Sequence, residues 1–258
     1  PTASGKSNLA IQLAKKLNGE IINADSMQIF KEFSVLSSRP SIAQTKEIKH
    51  HLFGIVSVTK HFSAGDWLVQ AKIKINNCLK KKKVPIVVGG TGLYFNTITK
   101  GISKIPNIDL KTRKKVRSLY NKIGFKRFYK ELVKFDPEIK GRILPTDSQR
   151  VQRAYEVKLK TKKSIFHWFT KTKSDFLDFE IKKIFIDIPR DVLLKKISER
   201  TEQMFERRCI SEVKRFNKLK INKSLSANKL IGVQEINGFL RKSMSLEQCK
   251  DCLLYTSD

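Results

Sequence analysis

The sequence predicts an α/β fold, a parallel-sheet core interrupted by an inserted helical lobe. Three observations carry this expectation. A Gly-Lys-Ser loop near the N-terminus runs straight into an amphipathic helical stretch. Short apolar runs at 20–24, 84–88 and 184–188 alternate with helical spacing, the order that parallel sheets require. Between about 104 and 180 the strand-like runs vanish, and helical spacing rich in Lys and Arg takes over.

The first loop, Pro1-Thr2-Ala3-Ser4-Gly5-Lys6-Ser7, fits the Walker A pattern Gly-x-x-x-x-Gly-Lys-Ser/Thr from its second position onward. Backbone N–H groups of such a loop, and of the helix N-terminus that follows, point at an anion. Thr2, Ala3, Ser4, Gly5, Lys6 and Ser7 are therefore candidate ligands of a diphosphate or nucleotide. Lys6 would place a point charge on a terminal phosphate, and Ser7 would offer its hydroxyl to Mg2+. The core is accordingly expected to be P-loop NTPase-like. The pattern's first glycine and the strand leading into it fall before residue 1, and weak activity is expected of the chain as it stands.

Leu9, Ile11, Leu13, Ala14 and Leu17 give the next stretch an apolar helical face, and Asn18-Gly19 ends it. Glu20 to Ala24 reads as a buried strand centred on Ile21 and Ile22, with Asp25 at its end. The run Val84–Val88 leads into Gly89-Gly90-Thr91. The run Ile184–Ile188 leads into Pro189 and a helix from near Asp191. Ligands of parallel sheets bind beyond the carboxyl ends of the strands. Asp25, Gly89-Gly90-Thr91 and the first loop are thus expected on one rim. The expected divisions are 1–103 and 181–258 for the two parts of the core and 104–180 for the lobe. Within the lobe, Phe125, Phe128, Tyr129 and Leu132 are expected on one helix face.

Charge is the strongest bulk signal. Lys and Arg number 53 against 24 Asp and Glu, a formal net charge of +29. Such a field attracts polyanions and makes their binding salt-dependent. A Lys-, Ile-, Asn- and Phe-rich composition, of the kind AT-rich genomes produce, accounts for part of it. Clustering does not follow from composition: residues 104–173 alone hold 21 Lys and Arg against 6 acidic residues. No apolar run reaches the ~18 residues of a transmembrane helix, so no membrane span is expected, and no signal peptide is visible. The four cysteines, Cys78, Cys209, Cys249 and Cys252, are too few for a disulfide framework. A reducing, cytoplasmic setting is expected.

Several residues also carry plain structural readings. A strand-end aspartate such as Asp25 commonly caps a turn or helix. His50 and His51 are adjacent and would face opposite ways on a strand. Asp66 fits a helix first turn, Asp187 a strand end, and Lys80–Lys83 a solvated helix end.

The decisive feature is the order of motifs. After the P-loop come Asn23-Ala24-Asp25-Ser26-Met27-Gln28, His50-His51-Leu52 and Phe62-Ser63-Ala64-Gly65-Asp66. Then come Pro85-Ile86-Val87-Val88-Gly89-Gly90-Thr91-Gly92-Leu93-Tyr94, Asp147-Ser148-Gln149-Arg150-Val151-Gln152-Arg153-Ala154 and Ile231-Gly232-Val233-Gln234-Glu235-Ile236. From residue 1 to about 240 this set resembles the tRNA dimethylallyltransferases, also called tRNA isopentenyltransferases.

The resemblance implies transfer of a dimethylallyl group from dimethylallyl diphosphate to the N6 amine of an adenosine beside the anticodon. It also implies Mg2+ and a helical insertion that clasps the anticodon stem-loop of tRNA. Carried over by position, Asp25 is the general base, and Ser26, Met27 and Gln28 touch RNA near the target base. Thr91 lies in the channel where base and donor meet. Arg113 and the segment Gln149, Arg150, Val151, Gln152 and Arg153 contact tRNA, as does the segment Leu230, Ile231, Gly232, Val233, Gln234 and Glu235. Arg200 neutralises the leaving diphosphate. Tyr94 and Phe95 are candidates for stacking on the base, with core packing expected for at least one of them, and a monomer is expected.

The chain departs from the family pattern in three places. Leu36-Ser37-Ser38-Arg39-Pro40 stands where Gly-Thr-Ala-Lys-Pro is usual, and Arg208 sits near where a helix-ending glycine is common. The ending from Cys249 to Asp258 lacks the family's basic segment and is expected to be foreign or frame-shifted sequence. Two other classes share part of the pattern. A P-loop small-molecule kinase has the loop, metal and sheet without the basic insertion. A non-catalytic RNA-binding protein would have RNA affinity and no product.

Overall fold

The computed structural model describes residues 2–170, 172–222 and 225–257, without the side chains of 255–257. Pro1, first in the loop motif, lies outside them. The chain divides into two compact units, one made of Pro1–Thr97 with Glu180–Asp258 and one of Ile98–Phe179.

The first unit opens with α1 (Lys6–Lys16), which buries Ala10, Ile11 and Ala14. Leu17, expected on the apolar face, is instead 49% exposed. It is the C-cap residue, and Asn18 turns left-handed at φ 50° to end the helix. Strand β1 (Gly19–Asn23) is buried along its whole length. After a long turn and α2 (Ile42–Glu47) come β2 (His50–His51) and α3 (Ala64–Lys80). Ser63 and Asp66 form a capping box on α3, so Asp66 is the first-turn residue its position suggests. Strand β3 (Val84–Val88) and α4 (Gly92–Thr99) follow. Among the described residues the sheet has three parallel strands in the order β2-β1-β3. A parallel central strand, covered by α1 and α3, must be apolar on both faces, which is why Ile21 and Ile22 are 1% and 0% exposed.

Glu20 is the charged exception on β1. Its carboxylate Oε2 accepts from His51 at 2.6 Å and from the Cys78 thiol at 3.5 Å, while Lys83 Nζ lies 3.2 Å from Oε1. Glu20, His51 and Cys78 are also metal-type donors within 4.8 Å of one another. Two ligands on a tetrahedral zinc ion stand roughly 3.3 Å apart, given bonds of about 2.0 Å. The 2.6 Å approach is a hydrogen bond, and Lys83 supplies the positive charge. Burial opposes the charge of Glu20, and the hydrogen bonds from His51, Lys83 and Cys78 outweigh it, holding the carboxyl at about 2.

The second unit is helical: α5 (Leu110–Phe135), a 3-10 turn at Pro137–Ile139, α6 (Ser148–Thr161) and α7 (Ile165–Phe169). Asp109 and Asp147 cap the N-termini of α5 and α6, accepting from Thr112 N at 2.7 Å and Arg150 N at 3.0 Å. Gly124, at φ 73° and ψ 166°, breaks α5 into two runs. Phe128, Leu132, Ile139, Val151, Ala154 and Val157 form the core of this unit. Phe125, expected beside Phe128, is 44% exposed; it is the first residue after the break at Gly124, at the frayed start of the second run.

The chain then returns to the first unit through α8 (Arg190–Glu206), α9 (Cys209–Lys218), α10 (Val233–Leu240) and α11 (Leu246–Ser257). The run 184–188, expected as a third strand of the core, forms none. A strand needs a neighbour to share its ladder, and these residues have no strand partner. Ile184 and Phe185 stand 62% and 85% exposed. Arg208, at the doubtful turn, takes the left-handed conformation itself, with φ 66°. The atypical ending packs: α11 lies on α8 and α10, with Cys249 and Leu253 buried. No helix among the described residues is long and apolar enough to cross a membrane.

Two outcomes are expected. Phe128→Ala empties the centre of the helical unit and should cost about 3–5 kcal/mol, read by urea unfolding followed through far-UV circular dichroism. The Glu20 contribution is complete above its ordinary value of 4.5 and is lost as pH falls from there toward 2. Glu20→Gln should therefore flatten the fall of melting temperature across that window, and an unchanged slope would contradict the ion-pair assignment.

Candidate active site

The site grows from the carboxyl end of β1. Asn23, fully buried, ties three segments there. Its amide donates to the carbonyls of Asp25 and Leu52, both at 3.0 Å, and accepts from Asp25 N at 2.8 Å. The Trp67 indole N–H closes on the Asn23 carbonyl at 2.7 Å. Asp25 follows in a tight turn, and its Oδ1 accepts from the backbone of Met27 at 2.8 Å and Gln28 at 3.4 Å. Asp25 is thus a turn cap through one oxygen. Its Oδ2 accepts no hydrogen bond among the described residues, and a Cβ added at Gly90 would stand 3.6 Å from it.

The Gly89-Gly90-Thr91 turn lies directly against this end of β1. A Cβ on Gly89 would fall 2.2 Å from the carbonyl carbon and oxygen of Ala24, so only glycine permits the approach. Thr91 N donates to Ala24 O at 3.1 Å. Thr91 Oγ1 accepts from Ser26 N at 2.9 Å and donates to Ser26 Oγ at 3.2 Å. Thr91, Asp25 and Ser26 are therefore held as one piece.

The P-loop contributes the positive side. Ala3 and Gly5 both take positive φ, 56° and 81°, a backbone arrangement that turns successive N–H groups toward an anion. Gly5 caps α1, and its missing Cβ leaves open space. Ser4 is buried, and its Oγ accepts from Lys6 Nζ at 3.1 Å. Thr2, Ala3 and Lys6 are half-buried, and Gly5 and Ser7 are exposed.

Electrostatics join the loop, β1 and α8. Burial lowers the Lys6 pKa, while Asp25 raises it and Arg200 lowers it. Burial likewise lowers the Arg200 pKa, and Asp25 opposes this. Burial, then Asp25 and Asp66, push Tyr94 up to about 12. Lys6, Asp25 and Arg200 thus lie in mutual electrostatic reach, two cations around one carboxylate. Such a site favours a further anion.

Other expected site residues are placed less simply. Tyr94 is 3% exposed and stacks on Trp67 at 4.3 Å, 8° from parallel. It is core, not a platform for a base, while Phe95 is half-buried. In the helical unit Gln149 and Arg150 are exposed, Gln152, Arg153 and Arg113 are half-buried, and Val151 is core at 1% exposure. In the later segment Leu230, Gly232 and Val233 are buried, and Glu235 caps α10 by accepting from Gly232 N at 2.9 Å. Ile231 and Gln234 are the exposed pair there. Helical periodicity explains this division, since only one side of each such stretch faces out. Asp187 is exposed in a stretch without regular secondary structure rather than at a strand end.

Sequence reasoning missed Glu212. This carboxylate on α9 is 1% exposed and accepts four hydrogen bonds from residues 34–36. Its partners lie 176 to 178 positions away in the chain, so no local pattern marks it.

Comparisons with known proteins place the chain in a family. The family model described as IPP transferase matches residues 28–256. The tRNA dimethylallyltransferase of Pelagibacter ubique (strain HTCC1062) is 50% identical over 253 residues, covering 98% of this chain and 81% of that one. That of Rickettsia conorii (strain ATCC VR-613 / Malish 7) is 40% identical over 249 residues, covering 96% and 69%. Among solved structures, the full-length tRNA isopentenylpyrophosphate transferase from Bacillus halodurans superposes with a TM-score of 0.69 at 28% identity, covering 100% of this chain and 80% of that one. A eukaryotic dimethylallyltransferase acting on tRNA gives a TM-score of 0.84 at 27% identity, covering 99% and 65%. With a family match over most of its length and relatives this similar, the chain belongs to the IPP transferase family, the tRNA dimethylallyltransferases.

Proposed function

We propose that this chain transfers a dimethylallyl group from dimethylallyl diphosphate to the N6 amine of the adenosine beside the anticodon of tRNA, with Asp25 as general base. The observation that carries the assignment is the open Oδ2 of Asp25 at the edge of a site where Lys6 and Arg200 share its field. A neutral exocyclic amine is a poor nucleophile. As its nitrogen bonds to the first prenyl carbon, its proton passes to Asp25 Oδ2. The carbon–oxygen bond to diphosphate breaks in the same transfer, and Lys6, Arg200 and the loop N–H groups of Thr2 to Ser7 take up the charge.

Thr91 and Ser26, hydrogen-bonded to each other, border the channel where base and donor meet, with Met27 and Gln28 beside them. The exposed Ser7 hydroxyl, next to Lys6, is an oxygen donor suited to a hard cation, and Ser7 would hold Mg2+. When bound, that ion spreads the negative charge of the diphosphate. On the helical unit we assign Arg113, Gln149, Arg150, Gln152 and Arg153 to the anticodon stem-loop, supported by the exposure of Gln149 and Arg150 and by the charge of this segment. On the first unit we assign Ile231 and Gln234 to RNA contact as well. The reading extends to a cytoplasmic, monomeric enzyme.

The direct test is transfer of radiolabelled dimethylallyl to unmodified tRNA. Asp25→Asn should lower kcat by about 10²–10⁴, and label transfer at the normal rate would remove Asp25 as base. Arg200→Ala should cost about 10²–10³ through lost stabilisation of the leaving group, with tRNA affinity unchanged in a filter-binding assay. Arg150→Ala should weaken tRNA binding at every salt concentration and reduce the slope of log affinity against log salt by about 1; an unaltered slope would place Arg150 outside the RNA interface.

A further inference from the structure

We infer that Glu212 is a positioning residue for the transfer, acting through residues 34–38 and Gln28 on the turn that holds Asp25. This rests on the reading of Asp25 as the base. Within the first unit a chain of hydrogen bonds runs from one to the other. Glu212 Oε1 accepts from Ser34 N at 2.6 Å, Val35 N at 3.0 Å and Ser34 Oγ at 3.1 Å, and Oε2 accepts from Leu36 N at 2.9 Å. Three successive backbone N–H groups thus converge on one carboxylate. The loop they fix presents the carbonyls of Ser37 and Ser38 to Gln28 Nε2, at 2.9 and 3.2 Å. Gln28 N in turn donates to Asp25 Oδ1 at 3.4 Å, beside Met27 N at 2.8 Å. Glu212 lies three hydrogen-bonded steps from the Asp25 carboxylate and touches no reacting atom.

Core filling does not explain this side chain. A buried carboxylate is costly unless its oxygens are hydrogen-bonded, and an apolar residue would fill the same space without that cost. The receiving loop needs an external clamp. It contains Ser38 at φ 50°, an uncommon conformation for a non-glycine residue. Its flanks are already gripped, with Phe33 against Phe216 at 4.8 Å and Leu36 so close to Gly232 that a Cβ there would meet it at 2.7 Å. What Glu212 adds is orientation of the backbone, the property that passes to Ser37, Ser38 and Gln28. Charge-assisted bonds to aligned N–H groups are the strong, directional kind.

The experiment compares kcat and both KM values for Glu212→Gln, Gln28→Ala, the double variant and Asp25→Asn, per folded enzyme by active-site titration with labelled dimethylallyl diphosphate. Glu212→Gln exchanges one acceptor oxygen for an NH2 that faces backbone donors. It should lower kcat by up to about 100-fold, the scale of small misplacements, and leave KM for dimethylallyl diphosphate within about threefold. Adding Glu212→Gln to Gln28→Ala should cost little more, because both act along one path. Losses that multiply, or a normal kcat in Glu212→Gln beside an inactive Asp25→Asn, would overturn the inference while leaving the base assignment intact. An active Asp25→Asn would overturn both. If Glu212→Gln does not fold, Ser34→Ala removes one donor with the carboxylate in place; a fewfold drop in kcat at unchanged diphosphate KM supports the role, and an unchanged kcat refutes it.

Discussion

Everything at the site depends on one close approach, that of Gly89 to the end of β1. The turn after β3 meets the backbone of Ala24 with no space for a Cβ. From that contact follow the Thr91 N–H bond to Ala24 and the Thr91 hydroxyl bonds to Ser26. Two parallel strands that end side by side present their last residues to the same space. The glycine converts that general property of the sheet into a fixed geometry, with Asp25 on one strand end and Thr91 on the other. Asn23 completes the arrangement from below by holding Asp25 and Leu52 together.

Charge around this geometry is unbalanced in a useful direction. Lys6 and Arg200 are both partly removed from water, and for each the charge of Asp25 opposes the effect of that burial. One carboxylate does not neutralise two cations. On the function proposed above, a diphosphate would meet a site with more positive than negative charge. The helical unit repeats the theme at larger scale, with most of its excess charge carried on exposed Lys and Arg.

Much of this was legible in the sequence because it is local. The P-loop, the strand end at Asp25 and the Gly-Gly-Thr turn are each encoded within a few residues, and each is placed by the element that precedes it. Burial within an element was less legible. Val151, Leu230 and Val233 belong to segments read as RNA contacts, yet each points inward, since a segment match does not say which side of a helix faces out. Tyr94 was ambiguous until Trp67 proved to be its stacking partner. The run 184–188 has strand-like residues and no strand to pair with, a property of the sheet rather than of the run. Glu212 was invisible for a different reason: its role exists only through a loop far away in the chain.

The two readings of Asp25 that the sequence left open, turn cap and base, are compatible because a carboxylate has two oxygens. Oδ1 is committed to the backbone of Met27 and Gln28, which fixes the orientation of the whole group. Oδ2 faces the side where Gly90 leaves room. Capping is therefore what makes the free oxygen available in one direction, and a base that had to find its orientation at each turnover would lose the advantage of proximity. The same logic explains why the supporting shell is so elaborate. Gln28 is itself held by the carbonyls of Ser37 and Ser38, and those by Glu212 through the loop backbone. The orientation of the Asp25 carboxylate is thus set by its neighbours Met27 and Gln28, and that of Gln28 by a loop that a distant part of the chain holds.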